Sequence, residues 1–216
     1  SHGMKVILFG STGMVGQGVL RECLGSADVA SVLAVVRSPT GQQHPKLREL
    51  VHRDFTDFTG AALDGDVVFW CLGVSSAGMS EADYTRITHD YTLAAAKVLA
   101  RPTVRFVFVS GTGADRDVMW ARVKRRTEEA LATLPFASVH VFRPGLIQPM
   151  HGIRSRTRMY NVLYPVLYPL MLIARLIAPR YITTTERVGQ AMLRVAREGW
   201  PDRVLENPQI NAAAAG

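Results

Sequence analysis

The stretch Met4-Lys5-Val6-Ile7-Leu8-Phe9-Gly10-Ser11-Thr12-Gly13-Met14-Val15-Gly16-Gln17-Gly18-Val19-Leu20 decides the fold. Val6 to Phe9 is a continuous apolar run that ends at once in glycine, and Met14-Val15 with Val19-Leu20 then sets apolar residues at helical spacing. This reads as strand, tight turn, helix: the first βα unit of a dinucleotide-binding fold. Each glycine has its own task. Gly10 turns with positive φ, Gly13 lets the backbone approach a pyrophosphate, and Gly16 lets helix pack closely on strand. With Ser11 and Thr12 in the turn, the N–H groups of Met14, Val15 and Gly16 at the helix start are offered to the anion. The spacing is Gly-x-x-Gly-x-x-Gly, not the Gly-x-Gly-x-x-Gly of the commonest dehydrogenases.

A second apolar strand, Val32 to Val36, ends in Arg37-Ser38, where an NAD-binding unit carries Asp or Glu for the ribose 2′-hydroxyl. A guanidinium there matches a 2′-phosphate and leaves no acid to repel it, so the expected cofactor is NADP(H). Further strands are expected at Asp66 to Leu72, Arg105 to Ser110 and Ser138 to Phe142. A shorter one is expected at Val51 to Phe55, whose end, Asp54-Phe55, would lie near the adenine. Helices are expected over Gly13 to Leu24, Ser80 to Ala100 and Trp120 to Thr133, with a capped amphipathic one at Thr183 to Glu198. Continuous apolar strands alternating with helices make the class α/β, a single doubly wound parallel sheet of the Rossmann type over residues 4–210. A small C-terminal helical region would hold substrate. Ligands of such sheets bind outside the carboxyl ends of the strands. The small residues of Cys71-Leu72-Gly73, Ser110-Gly111-Thr112-Gly113 and Arg143-Pro144-Gly145 therefore become the candidate wall for ribose and nicotinamide.

Composition bounds the rest. With 48% hydrophobic and 20% charged residues over 216 positions, the chain is neither disordered nor fibrous. Two cysteines, Cys23 and Cys71, point to reduced thiols and a cytoplasmic setting. Ser1-His2-Gly3 resembles an expression scar, and Ala212 to Gly216 a loose tail. No metal is expected. The net charge of +7 is local: from Ala130 to Thr185 there is no Asp or Glu, while Arg143, Arg154, Arg156, Arg158, Arg175 and Arg180 all fall there. No recognition-helix or RNA-binding motif accompanies it, so nucleic acid is not the expected partner.

Taken together, Gly10-x-x-Gly13-x-x-Gly16, Cys71-Leu72-Gly73, Asp90-Tyr91, Val109-Ser110 with Gly113-Ala114-Asp115, and Phe142-Arg143-Pro144-Gly145 resemble the atypical short-chain dehydrogenase/reductases. Within them the chain is similar to the Tat-interacting-protein-like, NmrA-like oxidoreductases. The resemblance spans Met4 to Pro149 and continues more loosely to Thr185. It implies a Rossmann-type fold binding NADP(H), a catalytic Ser110, a Tyr-x-x-x-Lys helix and a possible homodimer. The chain departs from the pattern at the catalyst: ten residues past Ser110 it reads Trp120-Ala121-Arg122-Val123-Lys124. Lys124 keeps its place, but an indole N–H only donates and does not exchange a proton as a phenol does. Tyr84 and Tyr91 in the preceding helix are spatial alternatives. Three functions follow: a reductase whose acceptor needs little protonation, such as a quinone or flavin; a nucleotide-sensing regulatory module without turnover; and a carbonyl reductase in which Ser110 or another residue supplies the proton.

Met159 to Ala178 is mostly apolar and long enough to span a bilayer, yet Asn161, Pro165, Pro169 and Arg175 interrupt it. An interior proline costs a helix about 3 kcal/mol, so no transmembrane helix is expected. Residues 150–182 are read as a lid or core-packing region. The alternative is an interfacial membrane contact with Arg154, Arg156 and Arg158 on anionic headgroups.

Overall fold

The computed structural model describes residues 3–155 and 158–216, so Ser1, His2 and the headgroup candidate Arg156 lie outside the described residues. In chain order the elements are β1 (Met4–Phe9), α1 (Met14–Gly25), β2 (Val29–Val36), β3 (Leu47–Val51), β4 (Val67–Trp70) and α2 (Glu81–Thr85). A π-helical turn, Arg86–Asp90, joins α2 to α3 (Tyr91–Leu99). Then come β5 (Arg105–Val109), α4 (Met119–Ala132), β6 (Ser138–Arg143), β7 (Leu146–Gln148) and α5 (Arg158–Ile177). A 3₁₀ turn at Pro179–Tyr181 leads to β8 (Ile182–Thr184), α6 (Thr185–Glu198), β9 (Val204–Glu206) and α7 (Asn207–Ala214).

Seven strands form one parallel sheet in the order β3-β2-β1-β4-β5-β6-β9. The order reverses between β1 and β4, which makes the crevice at their carboxyl ends the switch point for a ligand. Alternation along β1 divides the core in two. Val6 and Leu8 pack with Val19, Met192 and Ile210 under α1, α6 and α7, while Ile7 and Phe9 pack with Trp70, Phe106 and Leu99 on the other face. Burial on both faces is why these strands carry no polar alternation.

Four expectations change. The strand sought at Val51 to Phe55 is β3 at Leu47–Val51, four residues earlier. It is a half-exposed edge strand whose adjacent Arg48 and Glu49 hide it from an apolar-run criterion. The long helix Ser80 to Ala100 is α2, π turn and α3 in succession, capped by the Ser80 hydroxyl accepting from Asp83 N. The alanine stretch read as a loose tail is helical through Ala214, with Ala213 buried. The prolines, finally, do not break the apolar segment: α5 runs through Pro165 and Pro169. The helix is exposed enough for solvent to take the carbonyls those prolines leave unpaired. Of its large apolar side chains Met171 is buried, while Val162, Val166, Leu170, Leu176 and Ile177 stand out to solvent. Among the described residues no helix is long and apolar enough to cross a membrane. Residues 149–181 form an excursion closed at its base by the parallel pair β7 and β8.

Candidate functional site

The glycine turn is built by contacts no side chain permits. Gly10 has φ +83°, and a Cβ there would lie 2.5 Å from the backbone of Cys71 and Leu72, so the β1 turn presses against the end of β4. A Cβ on Gly16 would fall on the Gly10 carbonyl oxygen. Gly13 differs: its φ is −74°, and the nearest atom to an added Cβ is the Gly10 oxygen at 3.6 Å. The protein's own packing tolerates a side chain there, which leaves the space beside the turn open. Gly13 caps α1, and among the described residues no side chain caps that helix and no acid sits in its first turn. The N–H groups of Met14, Val15 and Gly16 and the helix dipole are thus available to a pyrophosphate. Gly73, beyond Cys71 and Leu72, also borders open space. Neither thiol is poised as a thiolate: burial pushes Cys23 up to about 12 and Cys71 higher still.

Beyond β2, the Arg37 guanidinium carbon lies 4.9 Å from the ring centre of Phe55 and 5.7 Å from that of Tyr91. Two aromatic faces hold the cation in place without neutralising it, and among the described residues it has no carboxylate partner. Phe55 is buried against Phe58 and Tyr91. Asp54 is exposed and turned on its own loop: its carboxylate accepts from Thr56 N at 3.0 Å and from the Thr56 hydroxyl, bonds that hold it below the usual carboxylate range. Tyr91 therefore belongs with Arg37.

At the end of β5 the Ser110 hydroxyl is buried and has no hydrogen-bond partner among the described residues. Such an atom is costly unless a ligand or water meets it. Behind it Lys124 Nζ donates to the Ser110 carbonyl at 3.2 Å, and burial draws the ammonium's pKa down against the opposing pull of Glu128. Trp120 lies one helical turn earlier, its ring centre 5.7 Å from Nζ, and its edge would lie 3.3 Å from a Cβ on Gly113. Tyr84 is fully buried beside Thr88, with burial raising its pKa. Of the two spatial alternatives, neither tyrosine is brought to Ser110 by any contact here.

The β6 end departs from expectation. Arg143 donates to Glu128 through Nε (3.2 Å) and Nη2 (2.5 Å), and to Glu206 through Nη1 (3.0 Å). Glu128 is 4% and Arg143 12% exposed on the side chain. The guanidinium is thus committed to joining α4 to the start of α7, which takes it out of the cofactor set. Gly145 is likewise structural: its N donates to Asn207 Oδ1 at 2.8 Å, and a Cβ would strike the Tyr181 carbonyl. The Pro144 carbonyl accepts from Thr112 N at 3.1 Å, tying the β5 and β6 ends together.

A feature beyond sequence reasoning is a cavity of about 350 Å³ between the 149–154 loop and α5, walled by Pro149, Met150, Ile153, Tyr164, Pro165 and Tyr168. Gln17 Nε2 donates both to Thr12 O (2.8 Å) and to Arg154 O (2.9 Å), so one side chain braces the glycine turn and the cavity rim. His151 lies on that rim, its Nε2 2.6 Å from Glu186 Oε2. No spacing in the sequence links residues 35 positions apart; the β7–β8 pairing brings them together.

No family model matches the chain. Over 150 residues it is 34% identical to "Protein fmp52-2, mitochondrial" of Aspergillus oryzae, covering 65% of this chain and 66% of that protein. It is also 28% identical to HTATIP2 of Rattus norvegicus over 151 residues, covering 66% and 62%. The chain is thus similar in sequence to these two proteins and has the short-chain dehydrogenase/reductase fold. The aligned stretch spans just under two thirds of these relatives' lengths. The short-chain dehydrogenase/reductase fold is also that of a Burkholderia thailandensis oxidoreductase, with TM-score 0.70 at 15% identity over 100% of this chain and 94% of that one. A Burkholderia cenocepacia enzyme in complex with NADP gives 0.67 at 15%, covering 99% and 92%. MoeE5, in complex with UDP-glucose and NAD, gives 0.63 at 17%, covering 98% and 81%. The relatives correct one expectation. Those from Aspergillus oryzae, Chaetomium globosum and Meyerozyma guilliermondii are named as mitochondrial, which overturns the cytoplasmic setting. Reduced cysteines exclude only oxidising compartments, and that is why they misled.

Proposed function

We propose that this protein is an atypical short-chain dehydrogenase/reductase, an NADP(H)-dependent reductase acting on a flat lipophilic acceptor, a quinone or flavin before a simple carbonyl. The observation that carries the reading is the buried, unpartnered Ser110 hydroxyl at the β5 end, with Lys124 fixed behind it. A site that only sensed nucleotide has no use for an unsatisfied hydroxyl at the strand end where a reacting group sits.

When bound, NADPH supplies a hydride. The glycine turn and the α1 N-terminus hold the pyrophosphate, with Gly13 leaving room for it. Arg37, stacked on Phe55 and Tyr91, takes the 2′-phosphate through charge-assisted bonds and favours NADP(H) over NAD(H). Lys124 holds ribose hydroxyls, and Ser110 orients the acceptor oxygen. Trp120, in the place of the family tyrosine, gives no exchangeable proton. The apolar cavity beside the glycine turn takes the acceptor, and α5 covers it.

Trp120 also favours a second reading, a nucleotide sensor without turnover. Stopped-flow oxidation of NADPH against a panel of quinones, flavins and aldehydes separates the two. Turnover with a quinone supports the reductase; tight NADPH binding with no oxidation by any acceptor refutes it.

A further inference from the structure

We infer that His151, oriented by Glu186, is the proton donor to an acceptor bound in the cavity between the 149–154 loop and α5. The inference rests on the reductase reading and supplies the acid that Trp120 does not.

Four observations converge. His151 has φ +59°, the one non-glycine residue in that region among those described, and Gly152 follows at +74°. Ile153 N donates to Met150 O at 3.2 Å, closing a tight turn with two left-handed residues at its tip. An L side chain rarely adopts this conformation, and such outliers gather at functional sites. The ring's Nε2 is held by Glu186 at 2.6 Å, while Nδ1 has no partner among the described residues. An imidazole fixed by a carboxylate on one nitrogen and free on the other is the arrangement that moves protons.

The turn is also anchored on both sides. Met150 N donates to the Thr185 hydroxyl at 3.0 Å, and Gln17 ties Arg154 to the glycine turn. His151 itself lines the cavity, whose other walls are largely apolar or aromatic with Arg154 and Asn161 among them, and this suits a mainly apolar acceptor with a polar end. The groups facing the pair are Arg154 on the loop, Arg21 on α1, Gln190 on α6 and Tyr164 and Tyr168 on α5. Glu186 accepts from Gln190 at 3.2 Å, and its pKa lies below the carboxylate norm, chiefly through the His151 bond.

The chemistry balances. The hydride passes from the reduced nicotinamide to the acceptor carbonyl carbon while the C=O π pair moves to oxygen. The Nδ1 proton of imidazolium His151 goes to that oxygen, and neutral His151 is then reprotonated by water. For a quinone the hydride goes instead to one carbonyl oxygen, the ring π pairs shift to place the negative charge on the second oxygen, and the single His151 proton goes there, so one hydride and one proton give the hydroquinone.

The test uses the whole chain with NADPH and a quinone active with the parent protein. His151→Gly suits the positive φ and leaves a ring-sized gap; His151→Gln keeps a hydrogen bond to Glu186. Both variants should lose about 10²- to 10⁴-fold in kcat. NADPH affinity should stay within about threefold, and added imidazole should restore His151→Gly by tenfold or more. A kcat within about threefold of the parent in both variants, or loss with no imidazole rescue, overturns the proposal while the reductase reading stands. A parent protein that binds NADPH yet passes its hydride to none of the quinones, flavins or aldehydes overturns both.

Discussion

Replacing Arg143 separates a structural arginine from a cofactor ligand. In Arg143→Ala the Glu128 carboxylate, 4% exposed, loses two charge-assisted bonds at 3.2 and 2.5 Å and stays buried without a countercharge. The third bond, to the 46% exposed Glu206, adds little because solvent screens that partner. Removing one member of a buried pair costs about 3–5 kcal/mol. For a chain of this size each kcal/mol moves Tm by about 2–4 °C, so the midpoint should fall by roughly 6–20 °C. The double variant Arg143→Met with Glu128→Leu should recover most of it, because an apolar pair leaves no buried charge. Melting by circular dichroism with and without saturating NADPH, beside a nucleotide titration, reads both roles. A midpoint within about 2 °C of the parent together with NADPH binding weakened tenfold or more would refute the structural assignment.

Gly13→Ala should melt like the parent, since its Cβ meets nothing closer than 3.6 Å, yet lose at least about tenfold in nucleotide affinity; Gly16→Ala should be destabilised whether or not nucleotide is present. Differential scanning fluorimetry and a binding titration on the pair check this, and equal behaviour of the two would contradict it. His140 is buried at the Trp200 carbonyl, and burial lowers its pKa below 6.5. A depressed folded value means the unfolded chain binds the proton first, so stability should fall as pH drops below about 6.5. His140→Gln should flatten that limb in denaturant midpoints measured between about pH 5 and 8.

How far the sequence reaches is decided by locality. The glycine turn, the place of Arg37 just past the β2 end and the apolar strands are legible because each is a contiguous pattern, and the same holds for the sheet they build. Edge strand β3 escaped because half-exposure removes the apolar run. Arg143 sits in a motif beside the nucleotide crevice, but its partners Glu128 and Glu206 come from 15 positions before it and 63 after it. The His151–Glu186 pair depends on a two-strand ladder that closes a 33-residue excursion, residues 149–181. Prolines in α5 mark a helix breaker only where freed carbonyls lack solvent, and this helix is exposed.

The central claim, an NADP(H) site set by Arg37 on its two aromatic rings, is tested most directly by titrating NADPH and NADH into the parent protein and Arg37→Ala. A charge-assisted bond contributes about 1.5–3 kcal/mol, so the parent should prefer NADPH by about 10- to 100-fold. In Arg37→Ala that preference should collapse to within about threefold. Equal affinities in the parent, or a preference that survives the loss of Arg37, would contradict the account.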